Sequence, residues 1–354
     1  MMNIDNGSLF KTKSEIDAMM VISQKNRRYF TGFNSTFGIA LITPTNKILI
    51  TDSRYKEMAE KTVDCEVRGG KRDEIDAILA DTLDEIGVKN IGFEDDEMTV
   101  KEFETFKLKL PKKNFIAAGD VIQQLRLIKS DTEIEYLTEA QKINDQVFSK
   151  IIKFIEEDVT EIEIANEIER LIKSFGGESL SFDTIVASGT NTSMPHAHPT
   201  NKAVERGDAI TMDFGAKYNG YCADMTRTVF LGRPSEQMKT IYNIVLKAQQ
   251  FAIKNLKAGV AAREIDAFAR EVLKANNMEQ YFIHGLGHGL GIDIHEAPSL
   301  NPKCETLLEP NMVITIEPGV YVPGVGGVRI EDMLVVKEGG YKNLTTSPKE
   351  LIIL

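Results

Sequence analysis

The sequence predicts two domains of different class, an α/β domain over residues 1–125 followed by an α+β domain over residues 126–354. Three observations lead there. At 354 residues the chain is longer than one ordinary core accommodates. Its first third alternates short β-rich runs with helical ones, the pattern of a small α/β domain with a mixed sheet. From Ser130 onward the pattern changes to long amphipathic helices mixed with antiparallel hairpin signals.

In the first domain, residues 21–23, 39–43, 47–51 and 90–93 read as strands bounded by turn residues. Residues 53–62 and 72–86 read as helices, the second stopped by Gly87. This part contains no histidine and no glycine-rich phosphate loop, so no chemistry is assigned to it. The second domain opens on Ser130-Asp131-Thr132-Glu133, a capping box in which side chains at both ends satisfy backbone N–H groups. Ile134, Leu137, Val147, Phe148, Ile151, Ile152 and Ile155 follow at helical spacing. Thr160 to Glu163 repeats the box ahead of Ile164, Ile168, Leu171 and Phe175, and Gly176-Gly177 ends that helix. Further helices are expected over 236–256 and 262–275. Strands are expected over 182–187, 208–217, 221–231, 312–317 and 328–336.

Hydrophobic content of 42% and charged content of 27% are ordinary for a globular protein and name no function. The net charge of −11 argues against a nucleic-acid footprint, which needs a basic face. Cys65, Cys222 and Cys304 are odd in number, and no pair has metal-clip or redox spacing, as suits a reducing cytoplasm. The first 13 residues lack an apolar signal core and no 18-residue apolar run occurs, so a cytoplasmic protein without membrane association is expected.

Five residues carry the chemistry: Asp213 in T-M-D-F-G, Asp224 in C-A-D-M-T-R, His288 in G-L-G-H-G-L-G, Glu317 in T-I-E-P-G and Glu331 in V-R-I-E-D. Four carboxylates and one imidazole form the oxygen-rich set that hard-to-borderline divalent cations prefer. If they converge, four negative charges must be neutralised by protons or cations. Two divalent ions balance them, and a two-metal hydrolase is the leading reading. The scaffold supports convergence. Asn219-Gly220 is a strong hairpin signal; with it as the loop, Tyr218 faces Tyr221 and Asp213 faces Thr226. Asp224, two positions from Thr226, then shares a face with Asp213. Arg329 and Glu331 are two apart on one expected strand and project from one face, where Arg329 could orient a metal-bound carboxylate. The glycines flanking His288 allow close backbone approach. Any one of these acids alone would read as a solvated surface charge; five in these contexts outweigh that reading. All five histidines, His196, His198, His284, His288 and His295, also lie in the same part of the chain. A lone histidine is usually structural, but this clustering favours a site where imidazoles hold substrate or donate to a developing oxyanion.

The stretches S-G-T-N-T-S-M-P-H-A-H-P, M-D-F-G-A-K-Y-N-G-Y-C-A-D-M-T-R-T, F-I-H-G-L-G-H-G-L-G-I-D-I-H-E-A-P, I-T-I-E-P-G-V-Y and G-G-V-R-I-E-D run in family order from Ser188 to Asp332. Together they resemble the catalytic domain of Xaa-Pro peptidases, the prolidases and aminopeptidases P of pita-bread fold. R-Y-F-T-G-F near the start is similar to that family's creatinase-like N-terminal domain, so the resemblance spans the whole chain. It implies Asp213, Asp224, His288, Glu317 and Glu331 as ligands of two divalent ions. Mn²⁺ or Co²⁺ are the expected metals, with Zn²⁺ or Fe²⁺ as alternatives. It further implies that Glu317 shuttles the proton between nucleophile and leaving nitrogen. His196 and His295 are implied as catalytic imidazoles, and His284 and Arg329 as substrate-binding, with His284 on the proline side. Thr226 would support the ligands, and His198 matches no position. The implied substrates are proline-containing dipeptides or oligopeptides, with an Xaa-Pro dipeptidase favoured over aminopeptidase P, and the implied assembly is a homodimer. The alternatives are a catalytically inactive pita-bread binding module and a methionine aminopeptidase. The latter would share the five ligands but is not expected to have a histidine four residues before His288.

Overall fold

Short apolar runs buried on both faces form the centre of the first sheet, as expected where helices cover both sides. Strands β1 (Ala18–Val21) and β2 (Ile39–Ile42) bury every residue, and β3 (Lys47–Asp52) buries all but the first. With β4 (Glu66–Gly70), β5 (Asn90–Phe93) and β6 (Asn114–Ala117) they make one mixed sheet in the order β4-β3-β2-β1-β5-β6. Pairing is antiparallel from β1 to β3 and parallel elsewhere. The helices of this part are α1 (Asn6–Thr12), α2 (Gln24–Thr31), α3 (Lys56–Thr62), α4 (Ile75–Glu85), α5 (Val100–Lys109) and α6 (Gly119–Leu127). The computed structural model describes residues 6–354, and the chain separates into two compact units between Arg126 and Leu127. No helix of the described residues is long and apolar enough to cross a membrane.

The strand expected at 21–23 lies earlier, at 18–21, because Ser23 is committed to capping α2: its hydroxyl accepts from the Asn26 amide. Helix α2 escaped the sequence reading because its buried face includes Asn26 and Arg27, which break any apolar period. Their partners are polar, and that of Asn26 is distant in sequence. The Glu94 carboxylate accepts from Ser23 and Asn26, and the Arg27 guanidinium donates to the Ser35 carbonyl.

In the second unit both capping boxes form, ahead of α7 (Asp131–Ile151) and α8 (Glu161–Ser174). Helices α9 (Glu236–Lys254) and α10 (Ala262–Ala275) follow. The α7–α8 pair packs its apolar stripe, from Val147 and Ile151 to Ile164 and Ile168, onto Val186, Met212 and Phe214 of the sheet. A second core gathers α9 and α10 around Ile314, Ile316 and Leu334.

The strands of this unit are shorter and more broken than expected. They are β7 (Ser179–Leu180), β8 (Ile185–Ser188), β9 (Ala209–Phe214), β10 (Ala216–Tyr218), β11 (Tyr221–Cys222), β12 (Met225–Phe230), β13 (Gly287–Gly289), β14 (Glu296–Leu300), β15 (Val313–Ile316), β16 (Gly319–Val322), β17 (Gly326–Arg329), β18 (Asp332–Lys337) and β19 (Gly340–Asn343). The single strand expected over 208–217 is interrupted at Gly215, where a Cβ would fall 2.0 Å from the Ala223 carbonyl oxygen. The strand expected over 328–336 is a correction of consequence. Strand β17 pairs with β16, whereas β18 pairs with β15 and β19. Arg329 and Glu331 therefore do not share one strand face. Ile330 and Glu331 lie between the two strands, and Glu331 is held by its own amide, which donates to the Thr226 carbonyl at 3.1 Å.

The capping box at Ser130 gives a direct test of the α7 start. Replacing Ser130 with Ala should destabilise that end by about 1 kcal/mol. It should be seen as faster amide hydrogen exchange in peptides spanning residues 130–136; unchanged exchange would contradict the capping role.

Candidate active site

The hairpin centred on Asn219-Gly220 sets the first two carboxylates. Both loop residues have positive φ, and Tyr218 pairs with Tyr221 while Asp213 pairs with Thr226. Asp213 projects from β9, and Asp224 from the break between β11 and β12, into one cavity of about 470 Å³.

The third wall is glycine-dependent. His288 sits on β13 between Gly287 and Gly289, where a Cβ would fall 2.1 Å from the carbonyl oxygens of Thr315 and Ala297 respectively. No larger residue allows neighbouring backbones this close. The His288 amide donates to Thr315 Oγ1 at 3.1 Å, and its ring Nδ1 lies 3.0 Å from the Gly289 carbonyl. A carbonyl can only accept, so Nδ1 carries a proton and Nε2 is the nitrogen turned inward. That nitrogen lies 3.5 Å from Asp224 Oδ2 and 3.4 Å from Glu317 Oε1.

Glu331 completes the set through Thr226. The Thr226 hydroxyl donates to Glu331 Oε2 at 2.8 Å and accepts from Arg329 Nε at 3.0 Å. Arg329 also donates to Asp213 Oδ2 at 2.7 Å, to Tyr321 Oη at 2.9 Å and to the Pro195 carbonyl at 3.3 Å. Tyr321 in turn reaches His284 Nε2 at 3.0 Å, and His284 Nδ1 lies 2.7 Å from the Gly285 carbonyl. The proton positions follow in sequence: Arg329 to Tyr321, Tyr321 to His284, His284 to the backbone.

Electrostatics leaves this arrangement short of positive charge. Burial, then the charges of Asp213 and Glu317, push the Asp224 carboxyl well above the ordinary range. Burial, followed by the neighbouring carboxylates, does the same to Glu331. Glu317 is raised by burial although His288 and Arg329 oppose it. Arg329 is buried, which works against its charge, yet Tyr321, Asp213 and Glu317 hold it firmly protonated. Asp213 Oδ1 and Glu331 Oε1 are buried with no hydrogen-bond donor in reach. Ligating atoms of Asp224, His288 and Glu331 all lie within 4.8 Å of one another. Orphaned carboxylate oxygens beside an inward imidazole nitrogen are what a divalent cation satisfies, so the residues fit such ions.

The same cavity is lined by His196, His284, His295, Glu317 and Arg329. The His295 ring meets that of His288 edge-on at 4.4 Å. His198 is exposed and outside the lining. Sequence reasoning missed Tyr321 and Thr315. The signal for Tyr321 was alternation: Gly319 pairs with Arg329 across the β16–β17 hairpin, which puts Tyr321 on the same face.

Residues 135–338 match the model of metallopeptidase family M24, and residues 10–128 match that of the creatinase/prolidase N-terminal domain. The chain belongs to metallopeptidase family M24, and its fold is a creatinase-like α/β domain followed by an α+β pita-bread catalytic domain. Divalent metal ions are part of that family's chemistry. The Xaa-Pro dipeptidase of Pyrococcus furiosus is 39% identical over 345 residues, covering 97% of each chain. The solved structure of an Xaa-Pro dipeptidase from Bacillus anthracis shares 42% identity at a TM-score of 0.95, covering 99% of each chain. That of an X-Pro aminopeptidase from Thermotoga maritima shares 38% identity at a TM-score of 0.93, covering 96% of this chain and 98% of the other.

Thr226 offers a test of the site that needs no substrate. Thr226→Val keeps the shape but removes the hydroxyl joining Glu331 to Arg329. Metal affinity should fall roughly 10- to 100-fold, measured by competition against a chelating dye. Affinity equal to wild type would show that the hydroxyl does not organise the ligands.

Proposed function

We propose that this enzyme hydrolyses the peptide bond preceding proline at a free N-terminus, using two divalent ions held by Asp213, Asp224, His288, Glu317 and Glu331. The observation that carries the proposal is the pair of donor-less buried oxygens, on Asp213 and Glu331, in a cavity with the inward Nε2 of His288. When bound, the ions supply Lewis acidity and a water of lowered pKa. Mn²⁺ or Co²⁺ suit a set of four carboxylates and one imidazole; Zn²⁺ and Fe²⁺ are the alternatives, since geometry and availability decide occupancy.

The protein's own groups do the rest. Arg329 has four of its five N–H groups engaged, one of them on Asp213, which suits it to fixing that carboxylate at the edge of the substrate cavity. Glu317, held by Thr315 Oγ1 at 3.3 Å, takes a proton from the attacking water and returns it to the proline nitrogen. His196 and His295 are exposed on the cavity wall, where a ring N–H can donate to the carbonyl oxygen as it gains charge. A tertiary Xaa-Pro amide offers no N–H, so proline must be selected by shape and packing. His284 suits that task. Burial, then the charge of Arg329, lowers its pKa to about 4, and both ring nitrogens are already bonded. It is a neutral, flat wall at pH 7.

An Xaa-Pro dipeptidase is favoured, supported by the names of the Pyrococcus furiosus and Bacillus anthracis relatives. An aminopeptidase P is the second reading, supported by the Thermotoga maritima structure. A cytoplasmic homodimer belongs to the same proposal.

Two experiments test it. Glu317→Gln should lower turnover by roughly 10²–10⁴ in protein whose metal content, measured in the same sample, matches wild type. Full activity would remove Glu317 from the mechanism. A panel of Xaa-Pro, Xaa-Pro-Yaa, Xaa-Ala and Met-Ala-Ser peptides tests the substrate. Xaa-Pro should be cleaved far better than Xaa-Ala, and His284→Ala should narrow that gap as well as slow the reaction. Cleavage confined to Xaa-Pro-Yaa and longer peptides means aminopeptidase P, and preference for Met-Ala-Ser overturns the proline reading.

A further inference from the structure

The segment that carries His196 has little regular structure of its own. It leaves β8 at Ser188, makes one 3₁₀ turn over Gly189–Ser193, and continues through Pro195 and His196 to Thr200. His196 is exposed, so its own packing does not fix its place. A single side chain ties both ends of the segment. Glu161, the first residue of α8, is fully buried. Its Oε1 accepts from the Ser188 amide at 2.7 Å, the Ser188 hydroxyl at 2.9 Å and Asn191 Nδ2 at 3.0 Å. Its Oε2 accepts from the Thr200 amide at 3.0 Å and the Thr200 hydroxyl at 2.6 Å. One oxygen holds the entry of the loop and the other its exit.

Glu161 is not needed to cap its own helix. Thr160 and Glu163 already form the complete box there. A buried carboxylate is costly unless its lone pairs are filled, and an apolar replacement of similar size is often as stable. All five of these bonds come from the loop or its edges. The helix N-terminus adds a favourable field for the negative charge. The middle of the loop is held from the other side, by Gly327, whose amide donates to Thr192 Oγ1 at 2.7 Å, and by Arg329 at the Pro195 carbonyl. His196 is thus suspended between a clamp at the loop ends and the hairpin that carries Tyr321 and Arg329.

We propose that Glu161 is a positioning residue for turnover: by fixing Ser188 and Thr200 against one carboxylate it presents His196 to the cavity. This rests on the role given to His196 above.

The test is a double-mutant cycle between Glu161→Gln and His196→Ala, assayed on an Xaa-Pro peptide with the metal-loaded enzyme. Glutamine keeps the size but turns one acceptor oxygen into a donor, which must then face the amide of Ser188 or of Thr200. In the wild-type background kcat should fall roughly 10- to 100-fold, with metal content and thermal midpoint close to wild type. In the His196→Ala background the same change should alter kcat by no more than about 2-fold, the scatter of independent effects. Equal losses in both backgrounds, or an unimpaired Glu161→Gln enzyme, would overturn the positioning role while leaving His196 in place. Full activity of His196→Ala alone would overturn the His196 reading and this inference with it. If Glu161→Gln does not fold, Thr200→Val decides, since it removes one donor from an exposed residue. Its loss should be smaller and should also vanish when His196 is absent; persistence there overturns the proposal.

Discussion

Four carboxylates directed into one cavity are the constraint around which the second unit is built. At about 4 Å, two like charges repel by on the order of 4 kcal/mol at an intermediate effective dielectric. Among the described residues Arg329 is the arginine bonded to the cluster, and its direct ion pair is with Asp213. Asp224, Glu317 and Glu331 are all pushed toward their neutral forms. The buried oxygens of Asp213 and Glu331 have no hydrogen-bond partner, and they are where the proposed ions would bind.

The scaffold fixes three of these acids, Asp213, Glu317 and Glu331, from behind. Thr226 and Arg329 hold the outer oxygens of Glu331 and Asp213, which turns the inner ones toward the cavity. The Gly289 carbonyl fixes the His288 tautomer, and Thr315 touches both the His288 backbone and the Glu317 side chain. These supports come from strands of different sheets, so no single element could be melted without loosening several ligands. Two of the cavity's histidines stand outside this rigid set. His196 and His295 are exposed on loops, which fits groups that meet a substrate arriving from solvent.

Much of this was legible because the decisive elements obey local rules. The Asn219-Gly220 turn fixes the register of its hairpin, so the pairing of Asp213 with Thr226 follows from sequence alone. The capping boxes at Ser130 and Thr160 are equally local, and both helices begin where expected. What could not be read depends on distant partners. Helix α2 is held by Glu94, more than sixty residues away, so its polar buried face carries no periodic signal. The break between Arg329 and Glu331 is a switch of sheet partner, invisible to a rule that counts alternation along one strand. Tyr321 follows the alternation rule but is a residue type too common to single out. Glu161 looks like any first-turn acid, because the five donors that give it meaning lie 27 to 39 positions downstream.

The most direct measurement of the central claim is the metal stoichiometry of the active enzyme. Protein stripped exhaustively with a chelator should be inactive, and titration with Mn²⁺ should restore turnover as the second of two equivalents per chain is taken up. Such binding should also raise the thermal midpoint, since ions that bind the folded state stabilise it. Full turnover on an Xaa-Pro peptide with metal content confirmed near zero would contradict the account, because the four carboxylates would then have no partner and no ion-dependent task.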